Sequence, residues 1–188
     1  MRPTLDGLPR VFEAHLKFDT SIVQHSFQSP LGRIIMAATD KGLAGLWFEG
    51  QRHLPEEWVT GSSWPDGASH PVLQKTTRQL KEYFNGQRTH FELPLDLSGG
   101  TAFQQAVWQA LLAIAPGTTA SYGDVSKRIG NPAAVRAVGA AVGRNPLSII
   151  VPCHRVLGAN GSLTGYAGGL DRKTALLKLE GALQETMF

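Results

Sequence analysis

The chain has 188 residues, of which 42% are hydrophobic and 18% charged, a composition typical of a globular protein rather than a disordered one. It has no apolar run long enough to cross a bilayer, and its first residues lack the apolar core of a secretory signal. A single cysteine excludes an internal disulfide and a zinc site closed by cysteines, so we expect a cytoplasmic protein without a structural metal. Residues 101–188 carry 8 Lys/Arg against 4 Asp/Glu, while residues 1–100 carry 10 against 11. The basic second half permits a polyanionic partner, although ordinary solubilising charge is the simpler explanation of these numbers.

The first half of the chain is dominated by short, β-branched segments that follow an extension at residues 1–19. The segments IVQHSF, GRIIMAAT and GLAGLWF are separated by turn-forming residues and predict a small antiparallel sheet. The apolar spacing in VLQKTTRQLKEYFNG predicts a helix that ends at Asn85. One more extended piece, THFELPLDL, leads to SGG at residues 98–100, which we interpret as a domain boundary.

The second half is predicted to be mostly helical. Capping-box patterns place helix starts at Thr101 and at Ser121. Asn131 is predicted to cap a third helix, with Pro132 in its first turn. The second and third helices are joined by a tight turn that contains glycine, which makes them a candidate helix-turn-helix.

The third predicted helix has one face that is almost bare of side chains. When residues 132–143 are wound at about 100° per residue, Arg136 shares its face with small or compact residues. These are Pro132, Ala133, Gly139, Ala140 and Gly143. An arginine on such a face suggests that another surface approaches it closely. Tight packing between helices explains the same pattern, and from this segment alone that alternative is slightly favoured.

The stretch IIVPCHRV contains the single cysteine, Cys153, followed directly by His154, the one histidine of the second half. A thiol reacts as the thiolate, and a base that activates it needs a third group for orientation. Neighbouring side chains on a strand point to opposite faces, so a turn or a bridging water would have to connect thiol and imidazole. Glu180 is a candidate orienting group, because a carboxylate at the C-terminal end of a predicted helix is electrostatically disfavoured. A cysteine that only packs and a solvated glutamate are the simpler alternatives.

The motif VPCHRV at residues 151–156, with Asn145-Pro146 before it and GYAGG after it, resembles the O6-alkylguanine-DNA alkyltransferases (methylated-DNA–protein-cysteine methyltransferases). The resemblance implies a small ribonuclease-H-like N-terminal α/β domain at residues 20–98. It implies a mainly helical, winged-helix-like C-terminal domain with a helix-turn-helix at residues 101–188, which binds DNA and carries the catalytic residues. The implied function is DNA repair by direct, irreversible transfer of the alkyl group from O6-alkylguanine to Cys153, with no cofactor. Activity on O4-alkylthymine stays open.

The resemblance also assigns roles to individual residues. His154 would be linked to Cys153 by a water and oriented by Glu180, and Asn145 would brace the turn before the active site. Tyr122 would crowd the 3′ phosphate and donate a hydrogen bond to guanine N3, while Arg136 would enter the base stack as the guanine rotates out. The other assigned residues are Ala133, Ala137 and Ala140, which face DNA, and Val156 (through its carbonyl), Tyr166, Ala167 and Gly168, which line the guanine pocket.

By the same resemblance the partner is double-stranded DNA bearing O6-alkylguanine, bound through the minor groove by a monomer, and no membrane partner is expected. Cooperative binding on DNA stays open. Ala167 stands where some members have serine, so one donor to the guanine oxygen is missing. The glycine-rich residues 165–169 predict a cavity that accepts benzyl as well as methyl adducts and that a side chain at Gly168 would narrow.

Two further hypotheses of other classes are a module that only binds alkylated DNA and a cysteine hydrolase. A thiol that takes up no alkyl group would support the first. The second is weakened because this half of the chain has no second histidine and no evident oxyanion loop.

Overall fold

The computed structural model describes residues 16–59 and 63–183. Residues 1–15 of the predicted N-terminal extension lie outside the described residues. Within the rest of that extension, Phe18 packs edge-on against Trp47 and Trp64, with ring centroids 6.0 and 5.2 Å apart. This end of the extension is therefore attached to the folded chain.

The first half forms a three-stranded antiparallel sheet in the order β1-β2-β3, as the sequence predicts. The strands are β1 at Val23–Ser29, β2 at Gly32–Thr39 and β3 at Gly42–Phe48, followed by helices α1 at Glu56–Val59 and α2 at Pro71–Phe84. Side chains alternate along β2, so Ile34 and Met36 face the main core while Ile35 and Ala37 face a smaller cluster around Trp47. Both faces of the strand are buried, which explains its nearly continuous apolar sequence.

The second half is mainly helical and contains one short parallel strand pair. Its elements are α3 at Ala102–Leu112, β4 at Ala120–Ser121, α4 at Tyr122–Arg128, α5 at Val135–Gly143, a 3-10 turn at Cys153–Arg155, β5 at Val156–Leu157 and α6 at Leu170–Leu179. Both predicted capping boxes are present, at the starts of α3 and α4. The indole Nε1 of Trp108 on α3 donates to the Ala141 carbonyl on α5 at 2.9 Å, which joins the two helices in the core.

The predicted start of the third helix is wrong by three residues. The structure begins α5 at Val135, and the N-terminal cap position is held by Ala134 without a side-chain hydrogen bond. The backbone N–H of Ala134 donates to the Asn131 carbonyl at 3.0 Å, so residues 131–134 form a turn that extends the connection from α4. Ala133 therefore precedes α5 instead of lying on it. Arg136, Ala137 and Ala140 are exposed on the helix itself.

The two halves meet along the free edge of β3. The Leu46 N–H donates to the Pro146 carbonyl at 2.8 Å, and the Ser148 N–H donates to the Leu46 carbonyl at 3.0 Å. Residues 94–96 run beside Leu43 on the same edge. The segment that leads to Cys153 is thus held as an extension of the sheet of the first half. None of the helices in residues 16–59 and 63–183 is long and apolar enough to span a membrane.

Candidate active site

The chain turns sharply between the sheet edge and the cysteine. Ile149, a buried β-branched residue, has a φ of 72°, which costs on the order of 1–3 kcal/mol. Asn145 supports this turn from inside. Its Nδ2 donates to the Val151 carbonyl at 2.8 Å and its Oδ1 accepts from the Leu147 N–H at 3.0 Å. A strained conformation is therefore held by one buried side-chain amide.

Cys153 opens the 3-10 turn and is 5% exposed. Its Sγ accepts a hydrogen bond from Asn145 Nδ2 at 3.0 Å. Burial raises the pKa of the thiol, while the Asn145 hydrogen bond and the charge of Lys173 act in the opposite direction. Because burial is the largest of these effects, the resting thiol keeps its proton and needs a base to become a nucleophile.

Glu180, the C-terminal cap of α6, is the centre of a buried hydrogen-bond network. Its carboxylate accepts from His154 Nε2 at 2.8 Å, from Arg155 Nε and Nη2 at 2.9 Å each, and from the Tyr83 hydroxyl at 2.8 Å. Burial by itself would raise the pKa of Glu180, but the hydrogen bonds from Arg155 and His154 lower it to about 2. The carboxylate is therefore ionised and fully engaged in a place where the helix dipole disfavours it.

His154 is completely buried and directed away from solvent. Burial lowers its pKa, an effect that the hydrogen bond to Glu180 opposes. Because an ionised carboxylate only accepts, Nε2 carries the proton in the neutral ring and Nδ1 is left as the basic nitrogen. Nδ1 has no hydrogen-bond partner in the described part of the chain. The arrangement leaves one imidazole nitrogen available as a proton acceptor next to the cysteine.

Lys173 is a buried cation near the thiol and is 0% exposed. Its Nζ donates to three carbonyls, those of Val156 at 2.5 Å, Thr164 at 2.9 Å and Gly165 at 3.3 Å. Burial lowers its pKa to about 8, so most of the side chain remains protonated at neutral pH. Lys173 thus fastens residues 164–165 to β5 and places a positive charge within reach of Cys153.

A cavity of about 140 Å³ opens at Cys153. Four segments surround Cys153 there: the start of α4, α5, residues 52–53 of the first half, and residues 164–169, which we call the cavity loop. The lining residues are Arg52, His53, Tyr122, Gly139, Val142, Gly143, Cys153, Gly165, Tyr166 and Ala167. On the α5 side the cavity is lined by the small residues Gly139 and Gly143 and by Val142.

The structure brings Tyr122, Tyr166 and Ala167 together with Cys153 around the cavity, and the roles predicted for the Val156 carbonyl and Gly168 stay predictions. The Val156 side chain is buried in the core and its carbonyl accepts from Lys173. Gly168 faces the first half of the chain, since a Cβ there would lie 2.8 Å from Tyr166 Cε1 and 3.2 Å from Phe48 Cδ2. A side chain at Gly168 would therefore press on Tyr166 and Phe48, so it would act on the cavity through its Tyr166 wall.

Tyr122, the first residue of α4, lines the cavity between the cavity loop and α5. Its hydroxyl donates to the Thr164 carbonyl at 3.3 Å, and burial raises its pKa. The phenol is therefore a protonated donor at neutral pH, and its present acceptor belongs to the cavity loop.

Sequence reasoning missed four residues of the site: Tyr83, Arg155, Lys173 and Arg52. A signal existed for Lys173, because it lies three, four and seven residues before Leu176, Leu177 and Glu180 and so shares their buried helix face. A charged residue on an apolar stripe is a candidate for a specific buried partner. No comparable local pattern identified Tyr83, which lies 97 residues from Glu180 along the chain.

A nearly buried thiol that opens onto a cavity, beside an exposed helix that follows another helix and a turn, defines a cysteine-dependent protein of the nucleic-acid-binding type. Two family descriptions match the chain. Residues 22–97 match the ribonuclease-like domain of 6-O-methylguanine DNA methyltransferase, and residues 102–182 match its DNA binding domain. The chain belongs to the 6-O-methylguanine DNA methyltransferase family, and the family and two-part fold expected from the sequence are confirmed.

Relatives of known name agree with this assignment. The chain is 47% identical over 159 residues to the methylated-DNA–protein-cysteine methyltransferase of Methanosarcina acetivorans, covering 83% of this chain and 96% of the relative. It is 46% identical over 157 residues to the protein of that name from Mycobacterium leprae, covering 82% and 90%. Among solved structures, Mycobacterium tuberculosis OGT in complex with DNA has a TM-score of 0.74 and 45% identity, covering 85% of this chain and 92% of that one.

Proposed function

We propose that this protein repairs DNA by transferring the alkyl group of O6-alkylguanine to Sγ of Cys153. The observation that carries the proposal is the Cys153 thiol itself, nearly buried at a cavity beside α5 and hydrogen-bonded by Asn145. The names of its relatives support this reaction class. In this proposal residues 20–98 form the supporting domain, and residues 101–188 bind DNA and carry the chemistry.

The transfer balances with the groups present. The thiol proton passes through a water to His154 Nδ1, and the imidazolium that forms is stabilised by the ionised Glu180. Sγ forms a bond to the alkyl carbon while the bond from that carbon to guanine O6 breaks, and the electron pair remains on the guanine. The Tyr122 hydroxyl gives its proton to guanine N3, so that the base leaves as a neutral molecule, and the proton held by His154 returns through water to the phenolate. The thioether product has no leaving group that water could displace, so each molecule reacts once.

Access to the alkylated oxygen requires the base to leave the duplex. In the proposal α5 enters the minor groove, where the small residues Ala137 and Ala140 permit close approach, with Ala133 in the turn before it. Arg136, exposed on the same helix, occupies the gap in the base stack. The protein acts as a monomer, and a free reactive thiol fits a reducing cytoplasm.

The proposal is tested by incubating the protein with a duplex that contains O6-methylguanine and measuring its intact mass. We expect a gain of one CH2 per protein molecule, located on the peptide that contains Cys153, and a burst of repair that stops when all protein is modified. Cys153→Ala is the control and should stay unmodified while it still binds the duplex, because phosphate contacts dominate affinity. An unchanged mass would favour the binding-only module, and sustained turnover of an ester would favour the hydrolase.

A further inference from the structure

The cavity loop is supported from two sides by different parts of the molecule. Residues 164–165 are held from within the second half by Lys173. Residues 167–168 are held instead by the first half. The Arg52 N–H donates to the Ala167 carbonyl at 3.0 Å, and Gly168 lies against Phe48.

Arg172, on α6, adds a further link between the cavity loop and the first half of the chain. Its Nε donates to the Leu31 carbonyl in the β1–β2 turn at 2.9 Å, and its Nη1 donates to the Gly168 carbonyl at 3.2 Å. The guanidinium also lies over the Phe48 ring, with Cζ 4.6 Å from the ring centroid. One planar group therefore ties the cavity loop to a turn and to the last residue of β3. A lysine could not reproduce this set of contacts, since it lacks the planar fork.

The segment of the first half that receives the loop is itself held in place. Gln51 is 8% exposed, and its Oε1 accepts from the Phe48 N–H at 2.8 Å and from the Ser148 hydroxyl at 3.4 Å. Its Nε2 donates to the Arg52 carbonyl at 3.2 Å. Gln51 thus fixes the backbone around Arg52, and the Arg52 N–H that donates to the cavity loop has a defined position.

We propose that Arg172 is a positioning residue through which the first half of the molecule sets the width of the cavity at Cys153, and thereby its preference among adducts of different size. The proposal rests on the proposed function. Tyr166 forms a cavity wall and lies between the two supports, so a displacement of residues 167–168 moves that wall. When Tyr166 is held in place, the cavity keeps a small alkyl group aligned with Sγ of Cys153. When Tyr166 can move, the cavity has room for a large alkyl group, but the alkyl carbon is less well aligned with the sulfur.

The test compares Arg172→Met with Arg33→Met. Arg33 is the matched control because it lies on β2, pairs with the exposed Glu49 at 3.4 Å, and does not line the cavity at Cys153. Single-turnover rates are measured at saturating duplex for O6-methylguanine and O6-benzylguanine. We expect Arg172→Met to slow methyl transfer by about 5- to 20-fold and benzyl transfer by much less, with duplex affinity unchanged. Arg172→Lys should recover part of the loss, and Arg33→Met should match the parent.

Hydrogen exchange provides a readout that does not depend on activity. Arg172→Met should accelerate amide exchange in peptides that cover residues 50–54 and 164–169, while the α3 peptide exchanges as in the parent. A ratio of benzyl to methyl transfer rates that equals that of the parent would overturn the proposal. If the parent accepts no alkyl group at all, the proposed function fails, and unchanged exchange in those two peptides would then refute the positioning role separately.

Discussion

At the scale of single residues, the site depends on how Cys153 is held. Burial alone would make the thiol a poor nucleophile because it raises the pKa, and Asn145 and Lys173 partly compensate. Asn145 is the more direct of the two, since its Nδ2 lies 3.0 Å from the sulfur. The same amide holds the turn around Ile149, so both the backbone conformation before Cys153 and the reactivity of its thiol depend on the Asn145 side chain.

Replacement of Asn145 by alanine should raise the pKa of Cys153 further, because the hydrogen bond that favours the thiolate is lost. The rate of alkylation by iodoacetamide should then reach half its maximum at a higher pH than in the parent. The mass gain reports Cys153 alone, since the chain has no other cysteine. Circular dichroism identifies loss of fold, and a pH midpoint equal to that of the parent in a folded variant would contradict this account.

At the scale of elements, α5 combines a bare outer face with an anchored inner one. Val138, Ala141 and Val142 are buried, and the Ala141 carbonyl accepts from Trp108. The outward face carries Arg136 and small residues and is exposed, so it is not used for helix packing and suits the approach of a nucleic-acid backbone. The helix is short because residues 131–134 form a turn before it. Arg136 therefore lies in the first turn of α5.

Arg136→Ala should separate base flipping from chemistry. If Arg136 stabilises the flipped-out state of the base by ~2 kcal/mol, its loss slows transfer from duplex DNA by about 30-fold. Transfer from free O6-benzylguanine, which needs no flipping, should change little. Lys178→Ala on α6 removes an equal charge from an exposed position and serves as the control. Equal losses on both substrates would show that Arg136 supports the fold or the thiol.

At the scale of the whole molecule, the two halves meet in the active site. Tyr83 on α2 donates to Glu180, Arg155 donates to the Ile114 carbonyl at 2.5 Å as well as to Glu180, and β3 pairs with residues 146–148. Burial and the charge of Glu180 raise the pKa of Tyr83, so its hydroxyl remains a donor. The carboxylate is therefore a node of interdomain stability as well as the group that orients His154.

Glu180→Gln should destabilise the fold in a pH-dependent way. The folded pKa of about 2 lies below the usual value, so the folded state binds fewer protons and the stabilisation is present at neutral pH. The difference in unfolding free energy, roughly 3 kcal/mol, should persist down to about pH 4.3 and shrink as pH falls toward 2. Urea unfolding followed by tryptophan fluorescence between pH 2.5 and 7 measures it, with pH values chosen around these limits.

Glu49→Gln is the control for that experiment. Glu49 pairs with Arg33 on the surface and is 58% exposed in its side chain, so we expect a change of less than about 1 kcal/mol at any pH. A destabilisation by Glu180→Gln that stays constant across the whole range would mean that lost packing, and not the ionised carboxylate, accounts for it.

The sequence by itself determined the features whose causes are local. Capping boxes at Thr101 and Ser121 satisfy N–H groups within three residues, and short β-branched segments between turn-forming residues define the strands of the first sheet, so both were predicted correctly. The motif around Cys153 was specific enough to indicate the family. Glu180 was singled out because its position opposes the helix dipole, which is also a local argument.

The tertiary structure alone decided which distant groups meet around those residues. Tyr83 and Arg52 reach the site from the first half of the chain, and the pairing of β3 with residues 146–148 depends on how the two halves pack. The start of α5 was mispredicted for a related reason: the connection from α4 continues as a turn through Ala134, against the local preference of an asparagine-proline pair for capping a helix. Hydrogen bonds between groups far apart in the chain depend on packing geometry, and no periodicity or motif in the sequence encodes that geometry locally.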